Sequence, residues 1–313
     1  ALTHLSTDKI KLRMGVDLLH ENYHQQHDMD SVVRLELTDT QPAFFLEPEY
    51  KLSSKIALRV GARAEYSGLL NSWGVLPRLS AAYKTGKFSQ VSLAWGKYRQ
   101  KPVNDYLIFT TSLNSEKSDH YILNFQYRKN RRTFRVESYL KQYSDLVKYE
   151  ELYRMDPSSY TNRGKGYAGG VDLFWRDSES LRGVDYWISY SYLNTSRDYK
   201  DYPYSVTPHY ASAHNLSLVY KHFIERIRTF AGFTYSYASA RPYNDKNSSE
   251  FMDGRTKAYN DVSLNLTYLM QLFGNECIIH LTINNLFGFE NVFGYNYSAT
   301  PGEDGRYASQ PIL

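Results

Sequence analysis

Charged side chains recur at every second position in several segments of this sequence. In residues 55–66, Arg59, Arg63 and Glu65 alternate with apolar residues such as Leu58. Guanidinium groups and carboxylates on one surface can guide a charged ligand, or they can pair with one another on a solvated wall. The candidate residues for such a polar row are Arg59, Arg63, Glu65, Arg78, Arg135, Glu137 and Asp172.

A tyrosine-rich segment near residue 200 is the second candidate for ligand contact. Its aromatic residues are Tyr199, Tyr202, Tyr204 and Tyr210. Tyrosine rings present a flat apolar face and a polar hydroxyl, so they can stack on a sugar, a haem or an aromatic siderophore. The alternative is a rigid loop in which the rings pack against one another.

A histidine-rich stretch offers the groups that a first-row divalent metal prefers. Its residues are His20, Glu21, His24, His27, Asp28 and Asp30. Their spacing matches no closed metal motif, and the stretch is polar. We therefore predict a polar loop here, with no bound metal, and we predict no cofactor for the chain.

Catalytic motifs do not emerge from the sequence. His214 and its neighbour Asn215 accompany no nucleophile motif, and no glycine-rich phosphate loop is present. The single cysteine, Cys277, rules out an internal disulfide. The formal net charge of +4 comes with no basic helix, so nucleic acid is not an expected partner. We predict that the chain is not an enzyme, although a protease or lipase with residues from distant strands stays open.

The elements that carry these residues are predicted to be β-strands. Apolar and polar residues alternate with a period of two, which places them on opposite faces of a strand. Roughly thirteen segments of about nine to twelve residues show this pattern, and such a length crosses a bilayer when the strand is tilted. A run of about eighteen apolar residues, as a transmembrane helix needs, is absent.

The connections between these segments alternate between short turns and long loops, which is typical of outer-membrane barrels. We assign Val32 to Leu37 to a long external excursion, because this keeps the alternation intact. Tyrosines near the ends of the apolar rows indicate an aromatic girdle. They are Tyr66, Tyr83, Tyr121, Tyr127, Tyr220, Tyr235, Tyr237 and Tyr268. The predicted fold is an all-β, antiparallel transmembrane β-barrel. Because bacterial single-chain barrels have an even number of strands, the odd count indicates that part of the barrel is missing.

The stretch LTINNLFGFENVFGYNYS, residues 281–298, resembles the end of TonB-dependent outer-membrane receptors. Residues 77–96, 120–147, 170–177 and 186–195 look like the barrel of the same family. The resemblance is strongest to the branch common among gut-type Gram-negative anaerobes.

This resemblance implies a barrel of about 22 strands, plugged by an N-terminal domain and powered through the TonB system of the inner membrane. Residues 1–313 would then be the C-terminal portion of the barrel, with the plug and the closing strand outside them. The implied location is the bacterial outer membrane. The implied partners are TonB, a small-molecule or oligomeric nutrient, outer-membrane lipid and, as an open option, a surface lipoprotein.

The residues of the polar row would contact the plug or guide the ligand. The ligand class stays open among iron-siderophore, haem, vitamin and glycan. Two alternatives remain at this point, a passive outer-membrane porin and a soluble carbohydrate-binding β-domain. If the apolar row faces lipid, we expect Leu58→Arg to cost roughly 2–4 kcal/mol of folding free energy and Arg59→Leu to be mild.

Overall fold

A computed structural model describes residues 2–7, 9–28, 32–150 and 156–313 of the chain. Its first twelve strands are β1 (Leu2–Ser6), β2 (Ile10–Asp28), β3 (Val32–Lys51), β4 (Ile56–Ser67), β5 (Ser72–Lys84), β6 (Ser89–Gln100), β7 (Glu116–Lys129), β8 (Arg132–Lys148), β9 (Thr161–Asp177), β10 (Val184–Asp198), β11 (His214–Ile224) and β12 (Thr229–Ala238). The remaining strands are β13 (Pro242–Tyr243), β14 (Gly254–Arg255), β15 (Tyr259–Leu272), β16 (Asn275–Ile283), β17 (Gly294–Tyr297) and β18 (Ser309–Ile312).

Helical structure is confined to short pieces in the described ranges. Helix α1 covers Asn104–Leu107, and single 3₁₀ turns lie at Pro157–Ser159 and Glu225–Ile227. None of the helices described is long and apolar enough to cross a membrane.

Fourteen strands form one sheet in the order β1 to β12, then β15 and β16. Thirteen of them correspond to the predicted strands, and the short β1 is the addition. Strand pairs β13–β14 and β17–β18 form separate two-stranded sheets. Where the register is defined, neighbouring strands are antiparallel, as predicted.

The alternation in the sequence becomes two chemically different faces. On β4, Leu58 lies opposite Tyr50 of β3 and Ala81 of β5, and on the other face Arg59 lies opposite Glu49 and Ser80. Large side chains on the apolar face stay exposed, since Trp73 is 71% and Val75 is 70% accessible. An apolar face of this extent needs an apolar environment.

Aromatic residues mark both ends of the apolar face on β4 and β5. Tyr66 pairs with Trp73 at one end, where the ring centroids are 5.0 Å apart. Tyr83 pairs with Ile56 at the other end. The apolar row is therefore bounded by amphipathic rings, in agreement with the predicted girdle.

From β5 onward, connection lengths alternate along the sheet, as predicted. The connections 52–55, 85–88, 130–131, 178–183, 225–228 and 273–274 are short, whereas 101–115, 149–160, 199–213 and 239–258 are long. Two earlier connections depart from this pattern, because the connection between β2 and β3 and the connection 68–71 are short where long ones are due. Gly274, with φ of 80°, supplies the left-handed conformation that a two-residue turn needs.

The prediction of a loop for the histidine-rich stretch is wrong over residues 20–28, and Val32 to Leu37, assigned to an external excursion, also belong to a strand. Strands β2 and β3 pair continuously from Ile10–Tyr50 up to Asp28–Val32. On the face of this hairpin that carries the apolar row of β2, the row ends at Leu18, and His20, Asn22 and His24 follow it. On the opposite face, Glu21 and Asp39 contact Lys101, and beyond them Leu37 packs against buried loop residues. The strand therefore continues beyond the apolar row, and its opposite face contacts the connections.

The chain divides into two compact units. The first comprises Ala1–Leu123, Tyr139–Ala168 and Ser196–Val206, and the second comprises Asn124–Ser138, Gly169–Thr195 and Thr207–Leu313. In the first unit, a buried hydrophobic cluster joins two connections to the end of strand β8. It is formed by Leu107, Leu113, Val147 and Tyr160. We call it the loop core.

Candidate functional site

The polar face of the first unit is a ladder of ion pairs. The Nε of Arg59 donates to Glu49 over 3.2 Å, and the guanidinium of Arg63 lies 2.6 Å from Asp17 and 2.9 Å from Glu65. These pairs join strands β2, β3 and β4. Four of the seven predicted polar-row residues, Arg59, Arg63, Glu65 and Arg78, lie on this face.

A cavity of about 260 Å³ lies within this ladder around Arg78. The guanidinium of Arg78 lies 3.6 Å from Glu47 and 4.9 Å from the centre of the Tyr98 ring. Gly61 and Gly96 line the cavity together with His120. A Cβ atom at Gly61 would come within 2.8 Å of Glu47, so glycine makes room for the carboxylate.

The acidic partners Glu47 and Glu49 were missed in the sequence analysis. Their signal was present, because they alternate with Leu46 and Tyr50 in the segment FLEPEYK. Tyr98 and His120 carry no comparable signal, since the contacts of Tyr98 with Arg78 and with His120 depend on strand register.

The other three polar-row residues belong to the second unit. The guanidinium of Arg135 lies 5.8 Å from the centre of the Phe174 ring. Glu137 accepts a hydrogen bond of 3.0 Å from the side-chain amide of Asn124. Asp172 is partly exposed on β9. These residues do not form a ladder like that of the first unit.

Lys101 ties a long connection to the β2–β3 hairpin. Its ammonium group lies 2.7 Å from Glu21 and 3.4 Å from Asp39, and Asn104 donates to Glu21 over 2.6 Å. Asp39 is only 3% accessible and also accepts from the backbone N–H of Leu69 over 2.9 Å. We call Lys101, Glu21 and Asp39 the loop tether.

The carboxylates of the loop tether lie beyond the apolar row, which ends at the level of Leu18 and Pro42. The hydrogen bond from Lys101 is the main reason that the pKa of Glu21 is lowered. Burial opposes ionisation of Asp39, but its hydrogen bonds from Leu69 and Gln41 and the charge of Lys101 lower its pKa on balance. Both groups are therefore held as carboxylates.

The predicted tyrosine loop separates into buried and exposed rings. Tyr199 and Tyr202 are buried, with ring centroids 4.9 Å apart in an edge-on arrangement. Lys148 donates to the carbonyl oxygen of Tyr202 over 2.9 Å, which fixes the loop. Tyr204, 50% accessible, offers an exposed ring in the same unit. Tyr210, in the second unit, is also exposed.

The histidine-rich stretch forms no metal-binding group in the described part of the chain. His20 pairs with the Thr40 hydroxyl at 2.9 Å, and His24 lies 3.3 Å from Glu36. Glu21 points to the opposite face of the hairpin, toward Lys101. The side chains of His27 and Asp28, and the whole of Asp30, lie outside the described residues.

The polar face of the second unit carries hydroxyl groups instead of an ion-pair ladder. Strands β10, β11 and β12 line a cavity of about 400 Å³. Its polar and aromatic residues, which we call the serine pocket, are Ser189, Ser191, Asn215, Ser217, Ser236, Tyr237, Arg241, Tyr259 and Phe293. The rings of Tyr259 and Phe293 lie 6.0 Å apart.

An antiparallel sheet with one exposed apolar face, one polar face and aromatic rings at the ends of the apolar rows is the arrangement of a membrane-spanning β-barrel protein. Comparison with known families agrees. The family described as "TonB dependent receptor-like, beta-barrel" matches residues 21–286. The chain therefore belongs to the family of TonB-dependent receptor β-barrels, which are non-enzymatic outer-membrane proteins.

Solved structures support this fold at low sequence identity. The chain is similar to the outer-membrane transporter YddB from Escherichia coli, with a TM-score of 0.72 and 12% identity over 99% of this chain and 51% of that one. It is also similar to the ferric yersiniabactin uptake receptor FyuA from Yersinia pestis, with a TM-score of 0.72 and 14% identity over 99% of this chain and 50% of that one. The ferric-catecholate import receptor Fiu from E. coli K12 is similar as well, with a TM-score of 0.69 and 12% identity over 99% of this chain and 52% of that one.

The chain thus spans about half the length of the solved chains that it matches. No curated protein matches it in sequence. Family membership and outer-membrane location confirm the prediction from residues 281–298 and remove the soluble carbohydrate-binding domain from the alternatives.

Proposed function

We propose that this chain is the C-terminal part of the barrel of an active importer, which carries a nutrient ligand across the outer membrane with energy delivered by the TonB system. The observation that supports this most strongly is the family match over residues 21–286. The other proposed partners are outer-membrane lipid on the apolar face and a surface lipoprotein.

Two features of the described residues suit an importer better than a passive pore. The loop tether and the loop core hold the connection 101–115 in a folded arrangement, and fixed loops can present contacts to a ligand. The ion pairs of the first unit leave a polar wall on which a plug can dock without meeting unpaired charge. On this proposal Arg59, Arg63 and Arg78 contact the plug, and Tyr204 and Tyr210 contact the ligand.

Two of the similar solved proteins are described as importers of ferric yersiniabactin and of ferric catecholates. An iron-siderophore is therefore one candidate ligand class for this chain. At 12–14% identity this likeness concerns the fold alone. The choice among the ligand classes therefore has to come from the chemistry of the pockets in this chain.

The test is nutrient depletion by living cells. Cells with and without the complete receptor gene are grown in a defined nutrient mixture, and mass spectrometry follows which compounds leave the medium. An importer depletes at least one compound only when the gene is present, the proton-motive force is intact and TonB is produced. Depletion that persists after a protonophore is added, or without TonB, would instead identify a passive porin.

A further inference from the structure

The serine pocket presents three hydroxyl groups that the described residues leave available to a ligand. Ser189 lies opposite Ser217, and Ser217 lies opposite Ser236, so three hydroxyl groups share one row across three strands. Within the ranges that the structure describes, these three hydroxyls make no hydrogen bond to another residue. Neighbouring strands lie about 4.8 Å apart, so the row offers regularly spaced donors and acceptors.

The charge of the serine pocket is low. Arg241 is its one lining residue with a full charge, and its guanidinium lies 5.8 Å from the centre of the Phe293 ring. Asp261 lies opposite Ser236, but it already accepts hydrogen bonds from Ser263 and from the backbone of Asn285. A multiply charged anion would need several converging cations, which this pocket does not supply.

Aromatic rings close one side of the same pocket. Tyr259 lies opposite Ala238, at the end of the row that contains Ser191 and Asn215. Its ring and that of Phe293 form an apolar border beside the hydroxyl groups. A pyranose ring needs both kinds of surface, because its C–H groups pack on an aromatic ring while its hydroxyls exchange hydrogen bonds with neutral polar side chains.

We propose that the serine pocket binds a neutral, polyhydroxylated ligand, an oligosaccharide. This inference rests on the proposed import function and names its substrate class. Ser217 and Ser236 exchange hydrogen bonds with the sugar hydroxyls, Tyr259 carries a sugar ring on its face, and the guanidinium of Arg241 donates to ring or hydroxyl oxygens.

The test uses the complete purified receptor on a printed array of neutral oligosaccharides of varied linkage and of oligosaccharides that contain uronic acids. We expect retention on neutral members, changing less than about twofold between low and high salt, because neutral contacts are not screened. Ser217→Ala combined with Ser236→Ala should weaken binding by about tenfold, since each neutral hydrogen bond contributes a factor of about two to thirteen. Ser217→Thr, which keeps the hydroxyl, should retain binding.

Ser92→Ala is the matched control, because Ser92 is a polar-face serine of β6 that does not line this pocket. Each variant is checked for the heat-dependent gel mobility of a folded barrel before it is applied to the array. Retention on acidic oligosaccharides alone, a blank array, or equal losses in the double variant and in Ser92→Ala would each overturn the proposal. A blank array with energy-dependent depletion intact would leave the import function standing and refute only this ligand class.

Discussion

Replacing Val60 with arginine tests which face of the sheet meets lipid. Val60 is 44% accessible on the apolar face, opposite Leu79. The apolar row of β4 runs from Ile56, opposite Tyr83, to Tyr66, opposite Trp73. These ten residue steps of about 3.3 Å give about 33 Å, or about 25 Å along the membrane normal at a tilt of about 40°. This equals the height of a typical apolar band.

The length of this row also changes the expectation for Leu58→Arg. Leu58 lies opposite Tyr50, one row from the aromatic end at Tyr83, whereas Val60 is closer to the centre. We therefore expect Val60→Arg to cost about 2–4 kcal/mol of folding free energy, and Leu58→Arg to cost less. Arg59→Leu should cost at most about 1 kcal/mol, because the pair with Glu49 is partly solvated.

The assay is urea unfolding of the complete receptor in lipid vesicles, followed by tryptophan fluorescence. Val60→Leu serves as the control for side-chain volume, and it should leave the midpoint unchanged within error. The reasoning is refuted if Arg59→Leu proves the more damaging substitution while Val60→Arg leaves the free energy of unfolding unchanged. That outcome would reverse the two faces.

Three further predictions concern the connections. Leu107→Ala removes a fully buried side chain from the loop core and should cost about 2–5 kcal/mol locally, seen as faster amide exchange in 101–115 with the strands unaffected. Asp177→Ala removes the acceptor of Arg132 and of two turn N–H groups, so the urea midpoint should fall by the equivalent of about 1–3 kcal/mol; an unchanged midpoint would contradict this. The loop tether should weaken in acid, because the pKa values of Asp39 and Glu21 are lowered from 3.8 and 4.5. The stabilisation by these two carboxylates is complete above those ordinary pKa values. It is lost as the pH falls through the pKa values of the folded state. Proteolysis of 101–115 at graded pH measures this. Lys101→Met should abolish most of the acid dependence that comes from Glu21, whereas Asp39 keeps its hydrogen bonds from Leu69 and Gln41.

The strand faces could be predicted because a period of two is a local property of the sequence. Arg59 and Leu58 reveal their opposite faces without knowledge of any partner strand. The partners could not be predicted in the same way. The pairing of Arg78 with Glu47 depends on the register of three strands, which the connections between them determine.

The error at residues 32–37 has a similar cause. The segment does alternate, but its apolar residue Leu37 faces the loop core and not lipid. Because the loop core gathers Leu107 and Val147 from distant parts of the chain, local periodicity gives no sign of it. The serine pocket was missed for the same reason, since Ser189, Ser217 and Ser236 come from three strands.

The separation of the two faces has an evolutionary consequence. Along one strand, the side chains that meet lipid and those that can meet a ligand alternate. A substitution at Ser217 therefore changes a binding surface without touching Leu218. The lipid-facing row requires only apolar character, and many residues satisfy it. Both rows can therefore diverge widely while the backbone is kept, which accounts for a TM-score of 0.72 at 12% identity. Such a chain can acquire a new ligand without first acquiring a new fold.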